Sequence, residues 1–264
     1  MLTAAKNQIK VMFLSIKYNL MREMTNRVTF ITNVLFMIIN NATFIVQWII
    51  LFSLKDNFGG YLMEDIILLW AISSSSYGLA HILFNGIFKM PQMIENGKVD
   101  SFLVTPKNTL IMLATSSTRT SAIGDFLYGY VLMFIFYLNI YDILMFTFLI
   151  IFGGLLYASL ACILNSLTFW FIRANYLSDS IIHIFINFST YPDTIFNRAI
   201  KIMLFTIIPV GFAVYLPTKL ILSFNLTYLL LILLATLIFI SIAFLIFYKG
   251  LKRYTSSNLM VARV

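Results

Sequence analysis

The chain is divided by the segment FKMPQMIENGKVDSFLVTPKN, residues 88–108, which stands between two long apolar runs. This segment carries several charged side chains, two of the five prolines and the turn signal Asn96-Gly97. Charged side chains are costly inside the hydrocarbon of a bilayer. We therefore expect residues 88–108, the polar island, to lie at an aqueous face and to dock on a partner there.

The composition is that of a membrane protein. Of the 264 residues, 61% are hydrophobic and 11% are charged, whereas a soluble domain has about 45–50% apolar and about 25% charged residues. Apolar runs of about 20 residues predict α-helical spans, and the short alternating segments of a membrane barrel are absent. The net charge is +8, and most basic residues flank the apolar runs, which indicates membrane orientation rather than nucleic-acid binding.

Residues 1–27 have the pattern of an amphipathic helix. Apolar side chains at intervals of four, three and four residues share one helix face: Ile9, Phe13, Ile16 and Leu20. Lysines follow the edge of that face, where their stems reach the headgroups: Lys6, Lys10 and Lys17. We predict a helix that lies in the membrane interface. The alternative is a cytoplasmic helix packed on another subunit.

Residues 28–264 are predicted to form an all-α domain that crosses the membrane six times, with both termini in the cytoplasm. The predicted spans are residues 28–53, 63–87, 122–139, 143–171, 176–190 and 224–248. Most basic residues then lie on the inner side, as membrane insertion favours. Ser73–Ser76 and Gly78 give the second span a centre of small residues, which predicts close approach of a neighbouring helix.

Residues 191–222 are too interrupted for a plain span. Tyr191 and three prolines mark the breaks in this region: Pro192, Pro209 and Pro217. We predict a pair of outer re-entrant half-helices, because broken backbone is tolerated in a membrane only where protein or water covers it. The alternative is a kinked seventh span, which would place the C-terminus outside.

Four charged or titratable side chains in or beside the spans are candidates for polar pairs. Arg119 precedes the third span and is predicted to pair with Asp125 at its start. Asp179 and His183 are four residues apart on the fifth span and so share a helix face. The second pair has two interpretations, a structural hydrogen bond or a proton relay.

The motifs of several chemistries are absent from the sequence. There is no Gly-rich phosphate loop followed by Lys-Ser or Lys-Thr, and no His/Cys cluster with metal-ligand spacing. Neither a nucleophile elbow nor a His-Glu-x-x-His pattern occurs. We therefore nominate no catalytic residue, no metal site and no cofactor site in this chain. A transport function would then draw its energy from another polypeptide.

The order of short motifs resembles the permease subunits of type-2 ABC exporters, in particular six-span permeases of similar length that occur as pairs with one ATPase. The island segment from Ile94 to Pro106 is similar to the family pattern G-x-(F/V)-D-x-x-L-x-x-P after the second span. Further matches follow in the interrupted region: Phe188-Ser-Thr-Tyr-Pro192, Ile195-Phe196, Ile208-Pro209 and Tyr215-Leu-Pro217.

The resemblance implies that the polar island holds a coupling helix seated on an ATP-binding cassette ATPase, which would carry the ATP and Mg. The implied contact residues are Met90, Ile94, Glu95, Gly97, Lys98, Asp100, Leu103 and Pro106, with Ile94 and Leu103 as apolar anchors. A second permease, related or identical, would complete the path through a bacterial cell membrane. Drugs, peptides, lipids and glycoconjugates are all substrates of relatives.

Two other function classes stay open at this point. One is an ion-coupled carrier that uses Asp125, Asp179 and His183 as proton groups. The other is a membrane subunit without transport activity, or an intramembrane enzyme. An ATPase chain in the purified complex would separate the exporter from both.

Overall fold

The structure is a computed structural model that describes residues 2–171 and 174–255. In these ranges the chain is mostly helical and has no strand beyond a single bridge between Phe58 and Tyr61. The helices are α1 Leu2–Glu23, α2 Arg27–Leu54, α3 Met63–Leu83, α4 Asn85–Phe88, α5 Met90–Glu95, α6 Asp100–Leu103, α7 Thr109–Ala114, α8 Ser121–Phe136, α9 Ile140–Ser166, α10 Ala174–Ser189, α11 Arg198–Thr206, α12 Leu216–Leu222 and α13 Leu226–Leu251.

Asparagine side chains mark where several of these helices begin. A capping Asn oxygen accepts a backbone N–H of the first turn, which would otherwise have no partner. The polar residue before an apolar run therefore sets the start of the helix. The capping residues are Asn26 before α2, Asn108 before α7, Asn139 before α9, Asn197 before α11 and Asn225 before α13.

Four helices of the described ranges are long and apolar enough to cross a membrane: α2, α3, α9 with the 3₁₀ turn after it, and α13. A bent helix pair would add a fifth. Both α8 and α10 have 16 residues, or about 24 Å of helix against a hydrocarbon core of about 30 Å. Each predicted span overlaps one long helix, and the span predicted at residues 63–87 also covers most of the short helix α4. The count of six crossings stays a prediction.

Helix α3 is the centre of the bundle. It packs between α8 and α9, and every side chain from Ile66 to Ser76 is buried. A Cβ atom on Gly78 would lie 2.5 Å from a backbone nitrogen of α8, and a Cβ atom on Gly129 of α8 would overlap the Ser75 hydroxyl of α3. The predicted close approach is confirmed, because small side chains are what let these backbones meet.

Helix α1 lies along the segment 108–120 through a polar face. Ser15 Oγ and Asn19 Nδ2 both donate to the carbonyl oxygen of Thr115, at 2.8 and 2.9 Å. The backbone N–H of Asn108 donates to Gln8 Oε1 at 3.0 Å. These bonds satisfy backbone groups in and beside α7, which is too short to satisfy them itself.

The predicted apolar face of α1 is divided by this contact. Ile16 is buried against the protein, whereas Ile9 and Phe13 are 52% and 61% exposed. Ile16 packs inward because the bonds of Ser15 and Asn19 hold this side of α1 against the segment 108–120. Ile9 and Phe13 remain exposed, and the position of α1 in the membrane interface stays a prediction.

The helix after α11 begins with a π-helical turn, Gly211–Tyr215, and continues into α12. The two helical pieces meet at an angle of 83°. Pro209 lies in the break between them, where a residue without an N–H cannot continue the helical hydrogen bonds of α11. The predicted interruption is present as a sharp bend in the chain.

Candidate functional site

A polar cavity of about 250 Å³ lies in the middle of the bundle, where α2, α3, α8, α9 and α10 meet. Its volume would accommodate a small polar group. Polar side chains are expensive inside a membrane bundle and therefore mark functional surfaces or protein contacts. Those that line the cavity are Asn40, Asn41, Ser73, Ser74, Tyr77, Asp125, Tyr157, His183, Asn187 and Thr190.

Asp125 is the buried charge of this cavity. Its Oδ1 accepts a hydrogen bond from Asn41 Nδ2 at 2.7 Å, which ties the second turn of α8 to the middle of α2. The predicted ion pair with Arg119 is wrong, since no such pair occurs within 4.0 Å in the described residues. Arg119 precedes α8 and instead donates to the hydroxyls of Ser121 and Tyr77, at 2.9 and 3.2 Å.

Asp179 and His183 both lie on the exposed side of α10. They share a face as predicted, but no hydrogen bond or ion pair joins them among the described contacts. His183 lines the cavity, whereas Asp179 lies outside its lining. The hypothesis of a bonded pair is wrong here, because their spacing allows contact but nothing on this open face holds the two side chains together.

Hydroxyl groups close the cavity at the C-terminal end of α10. Ser189 Oγ lies 2.6 Å from Ser73 Oγ and accepts from the Tyr157 hydroxyl at 3.1 Å. The Tyr215 hydroxyl donates to the carbonyl oxygen of Phe188 at 2.5 Å. Sequence reasoning missed Tyr157 and Ser189. For Tyr157, the available signal was its position as a lone tyrosine in the apolar run of α9.

Asp193 forms a second buried polar cluster beside the bend. Its Oδ2 lies 2.7 Å from Lys219 Nζ of α12, and its Oδ1 accepts from the Tyr61 hydroxyl at 2.6 Å. Asp193 is 6% exposed. Burial and the bond to Asp193 raise the pKa of Tyr61 far above its ordinary value, so it stays a protonated donor. The cluster joins the α2–α3 loop, the α10–α11 turn and α12.

The predicted outer residues surround this cluster. Tyr191 is partly exposed and packs edge-on against Trp48, with ring centroids 5.8 Å apart. The three prolines are buried: Pro192, Pro209 and Pro217. Their burial agrees with a protein-covered break in the helices, which is the condition for interrupted backbone in a membrane.

Asp193→Asn is expected to destabilise the protein, because it leaves Lys219 without its counter-charge in a half-buried position. The cost should be about 2 kcal/mol, or a fall in Tm of roughly 4–8 °C for a chain of this size. Thermal melting in detergent checks this. The matched control is Asp56→Asn, an exposed aspartate of the loop between α2 and α3.

Adding Lys219→Met to Asp193→Asn should recover part of the loss, since removing both partners costs less than orphaning one. Equal melting of the Asp193 and Asp56 variants would contradict the importance of the cluster.

The polar island forms two short helices joined by a glycine turn. Helix α5 ends at Glu95 with Asn96 as its C-cap, and Gly97 adopts φ +67°, a conformation that favours glycine. The N–H of Lys98 then bonds to the carbonyl of Met93, the pairing of a glycine C-cap. The turn predicted from Asn96-Gly97 is confirmed.

One face of the island belongs to the protein core. Met90 is fully buried and Ile94 is 4% exposed. The expected role of Ile94 as an apolar anchor for a partner is therefore wrong, because α5 packs this side chain inward against α9 and the turn after it. Met90 is also buried in the protein core, so it is not available for contact with a partner.

The opposite face of the island is open and combines charge with apolar side chains. Leu103 is 44% exposed and Val104 is 84% exposed. Gly97 and Asp100 are half-buried. We define the island surface as the exposed residues Glu95, Lys98, Leu103, Val104 and Pro106. Sequence reasoning missed Val104. Its place next to Leu103 in a charged segment was the signal that could have identified it.

The C-terminal ends of α9 and α13 lie on the same side of the bundle as the island. Burial and the nearby Asp100 carboxylate raise the pKa of Tyr254, just after α13, to about 12. The Phe169 ring, after α9, lies 6.2 Å from the Tyr254 ring. The C-terminal ends of α9 and α13 therefore meet the island at one end of the bundle.

No group of three or more His, Cys, Asp or Glu side chains that could hold a metal occurs in the described residues. Cys162 is buried in α9.

A protein-family model described as "ABC-2 family transporter protein" matches residues 38–258. This range includes the cavity, the polar island and the Asp193 cluster. Comparisons with curated proteins and with solved structures gave no match.

Proposed function

Because the chain belongs to the ABC-2 family of transporter proteins, we propose that this multi-pass permease forms an export path with a second permease and is driven by separate ATPase subunits. The chain itself has no phosphate-binding loop. ATP and Mg would bind to the partner ATPases. We place the complex in a bacterial cell membrane.

The observation that carries the proposal is a polar surface at mid-bundle. In the middle of α2 the exposed polar residues fall on one side of the helix: Asn33, Asn40, Thr43 and Gln47. On α10 they do the same: Asp179, Ser180, His183 and Asn187. Such residues do not face lipid at this depth and require protein or water against them. Both helices line the polar cavity, so a second permease on this face would enclose a polar path.

The ends of the helices support six crossings. The rings of Phe169 and Tyr254, which follow α9 and α13, contact each other on the island side of the bundle. The rings of Phe58 and Tyr191 contact Trp48 at the opposite end. Alternation between the two ends requires α2, α3, α8, α9, α10 and α13 to traverse the bundle. The bent pair α11–α12 would then lie on the outer side as re-entrant half-helices, and α1 with the island would be cytoplasmic.

The ion-coupled carrier is less well supported. A proton relay needs titratable groups in hydrogen-bonded sequence. Asp125 is engaged by Asn41, and Asp179 makes no bond to His183. Nothing in the described geometry assembles these residues into a chain.

In a pair of identical permeases, Gln47→Cys is expected to cross-link the two copies in membranes treated with a mild oxidant. The product would run at about the mass of two permeases on a non-reducing gel. Leu231→Cys is the control. Leu231 is exposed near the start of α13, at the same end of the bundle as Gln47, but its neighbours are apolar. A covalent pair from Leu231→Cys alone, or from neither variant, would contradict the proposed subunit face.

A further inference from the structure

A second polar pocket, of about 440 Å³, lies on the island side of the bundle. It is formed where the end of α1, the start of α2, the island and the segment before α8 meet. Lys89 and Arg119 line it together with Glu23 and Asn33. We call it the inner pocket. It is separate from the mid-bundle cavity, although Arg119 donates to Tyr77, which lines that cavity.

The inner pocket presents more positive than negative charge. In the described part of the chain, the Arg119 guanidinium donates only to the neutral hydroxyls of Ser121 and Tyr77. Neither Lys89 nor Arg119 has a carboxylate within 4.0 Å in the described residues. The one acid of the pocket, Glu23, accepts from the Thr120 hydroxyl at 2.7 Å and lies 3.5 Å from Arg22. Among the described residues, two cations thus face the pocket without an ion-pair partner.

The hydrogen-bonding groups of the pocket favour an anion rich in oxygen. Ser121 Oγ accepts from Arg119, so its own O–H is available to donate. Guanidinium and ammonium groups beside hydroxyl donors are suited to phosphate, which accepts several charge-assisted hydrogen bonds at once. A neutral sugar or an apolar ligand would leave both charges uncompensated.

The position of the pocket indicates a lipid rather than a soluble anion. It lies at the elbow where α1 gives way to α2, which the proposed function places at the inner membrane surface. An apolar groove of about 490 Å³ occupies the same elbow, lined by Met21, Met24, Phe30 and Ile31 with Arg27. A phosphate in the pocket would therefore have apolar surface close by for acyl chains.

We propose that the inner pocket binds the phosphate-bearing headgroup of an anionic lipid, with Arg119 and Lys89 as the charged contacts. This site rests on the proposed topology but not on the ATPase. A lipid held permanently at the elbow and a lipid carried as cargo share this chemistry.

Native mass spectrometry of the purified, delipidated permease with added phosphatidylglycerol tests the site. The wild-type chain should retain this lipid in preference to phosphatidylcholine. Arg119→Gln with Lys89→Gln should weaken retention of phosphatidylglycerol at least tenfold. Lys55→Gln, which removes an exposed lysine of the outer loop, should retain it as the wild type does.

Equal retention by the double variant and the wild type, or no preference over phosphatidylcholine, would overturn the proposal. Lys89 is exposed, so Lys89→Gln alone gives a folded test protein if the double variant does not fold. It should weaken retention severalfold.

Proteoliposomes that contain the ATPase complex separate the two lipid sources. ATP-dependent movement of labelled phosphatidylglycerol to the outer leaflet would identify cargo, and retention without movement would identify a resident lipid. Both results support the site. The binding measurement needs no ATPase, so it can succeed or fail independently of the transport proposal.

Discussion

A permease that carries Leu103→Asp and Val104→Asp is expected to lose its ATPase subunits during purification, and with them ATP-driven transport. These two side chains are the large exposed hydrophobic residues of the island surface. Fully burying a leucine or valine side chain at an interface is worth about 1.5–3 kcal/mol. Two carboxylates in their place would also be desolvated without partners. The expected rise in Kd is on the order of 100-fold or more.

The fold should survive this change, because both side chains already face solvent. That separates them from Ile94, whose burial makes any polar replacement a stability experiment. Leu62→Asp is the matched control, since Leu62 is 58% exposed but belongs to the opposite end of the bundle. ATPase content of the purified complex is the readout. Retention of the ATPase by the double variant would disprove the coupling role of the island surface.

Gly86→Ala is expected to be among the most destabilising single-methyl substitutions in this chain. A Cβ atom at Gly86 would overlap the carbonyl oxygen of Leu113 and approach that of Ala114 to 2.9 Å. Backbone oxygens cannot rotate away as a side chain can, so α4 and α7 must separate. We expect a loss of about 3 kcal/mol or more, seen as low yield and early thermal unfolding in detergent.

Gly154→Ala makes the same chemical change at another buried glycine. Its Cβ would lie 3.2 Å from the carbonyl oxygen of Ser76 and 3.4 Å from Leu79 side-chain atoms, which small shifts relieve. Its melting should stay close to that of the wild type. Should the two alanine variants melt together, the contact between α4 and α7 would not be the rigid junction proposed.

Local patterns in the sequence were sufficient for much of the architecture. Long apolar runs predicted a helical membrane protein, because only internally bonded helices satisfy the backbone in lipid. Asn96-Gly97 predicted a turn, since glycine alone adopts positive φ without strain. The order of short motifs led to the ABC-2 family, which the family model supports over residues 38–258.

Pairing predictions failed where they relied on spacing alone. Arg119 and Asp125 are close in sequence, yet Asn41 on another helix is the partner of Asp125. Asp179 and His183 have helical spacing, yet the exposed side of α10 leaves both free of each other. Spacing limits which side chains are able to meet, whereas the nearest donor in the folded chain decides which of them do.

The sequence by itself determined the class of the protein, the positions of its helices and the presence of a charged island between them. These depend on hydropathy, capping residues and turn conformations, which act within a few residues of the chain. Only the tertiary structure decided that Ile94 packs inward while Leu103 and Val104 face out. It also brought Asp193 to Lys219 and Tyr61. These outcomes depend on which helix packs against which, and that is set by contacts between residues far apart in the chain.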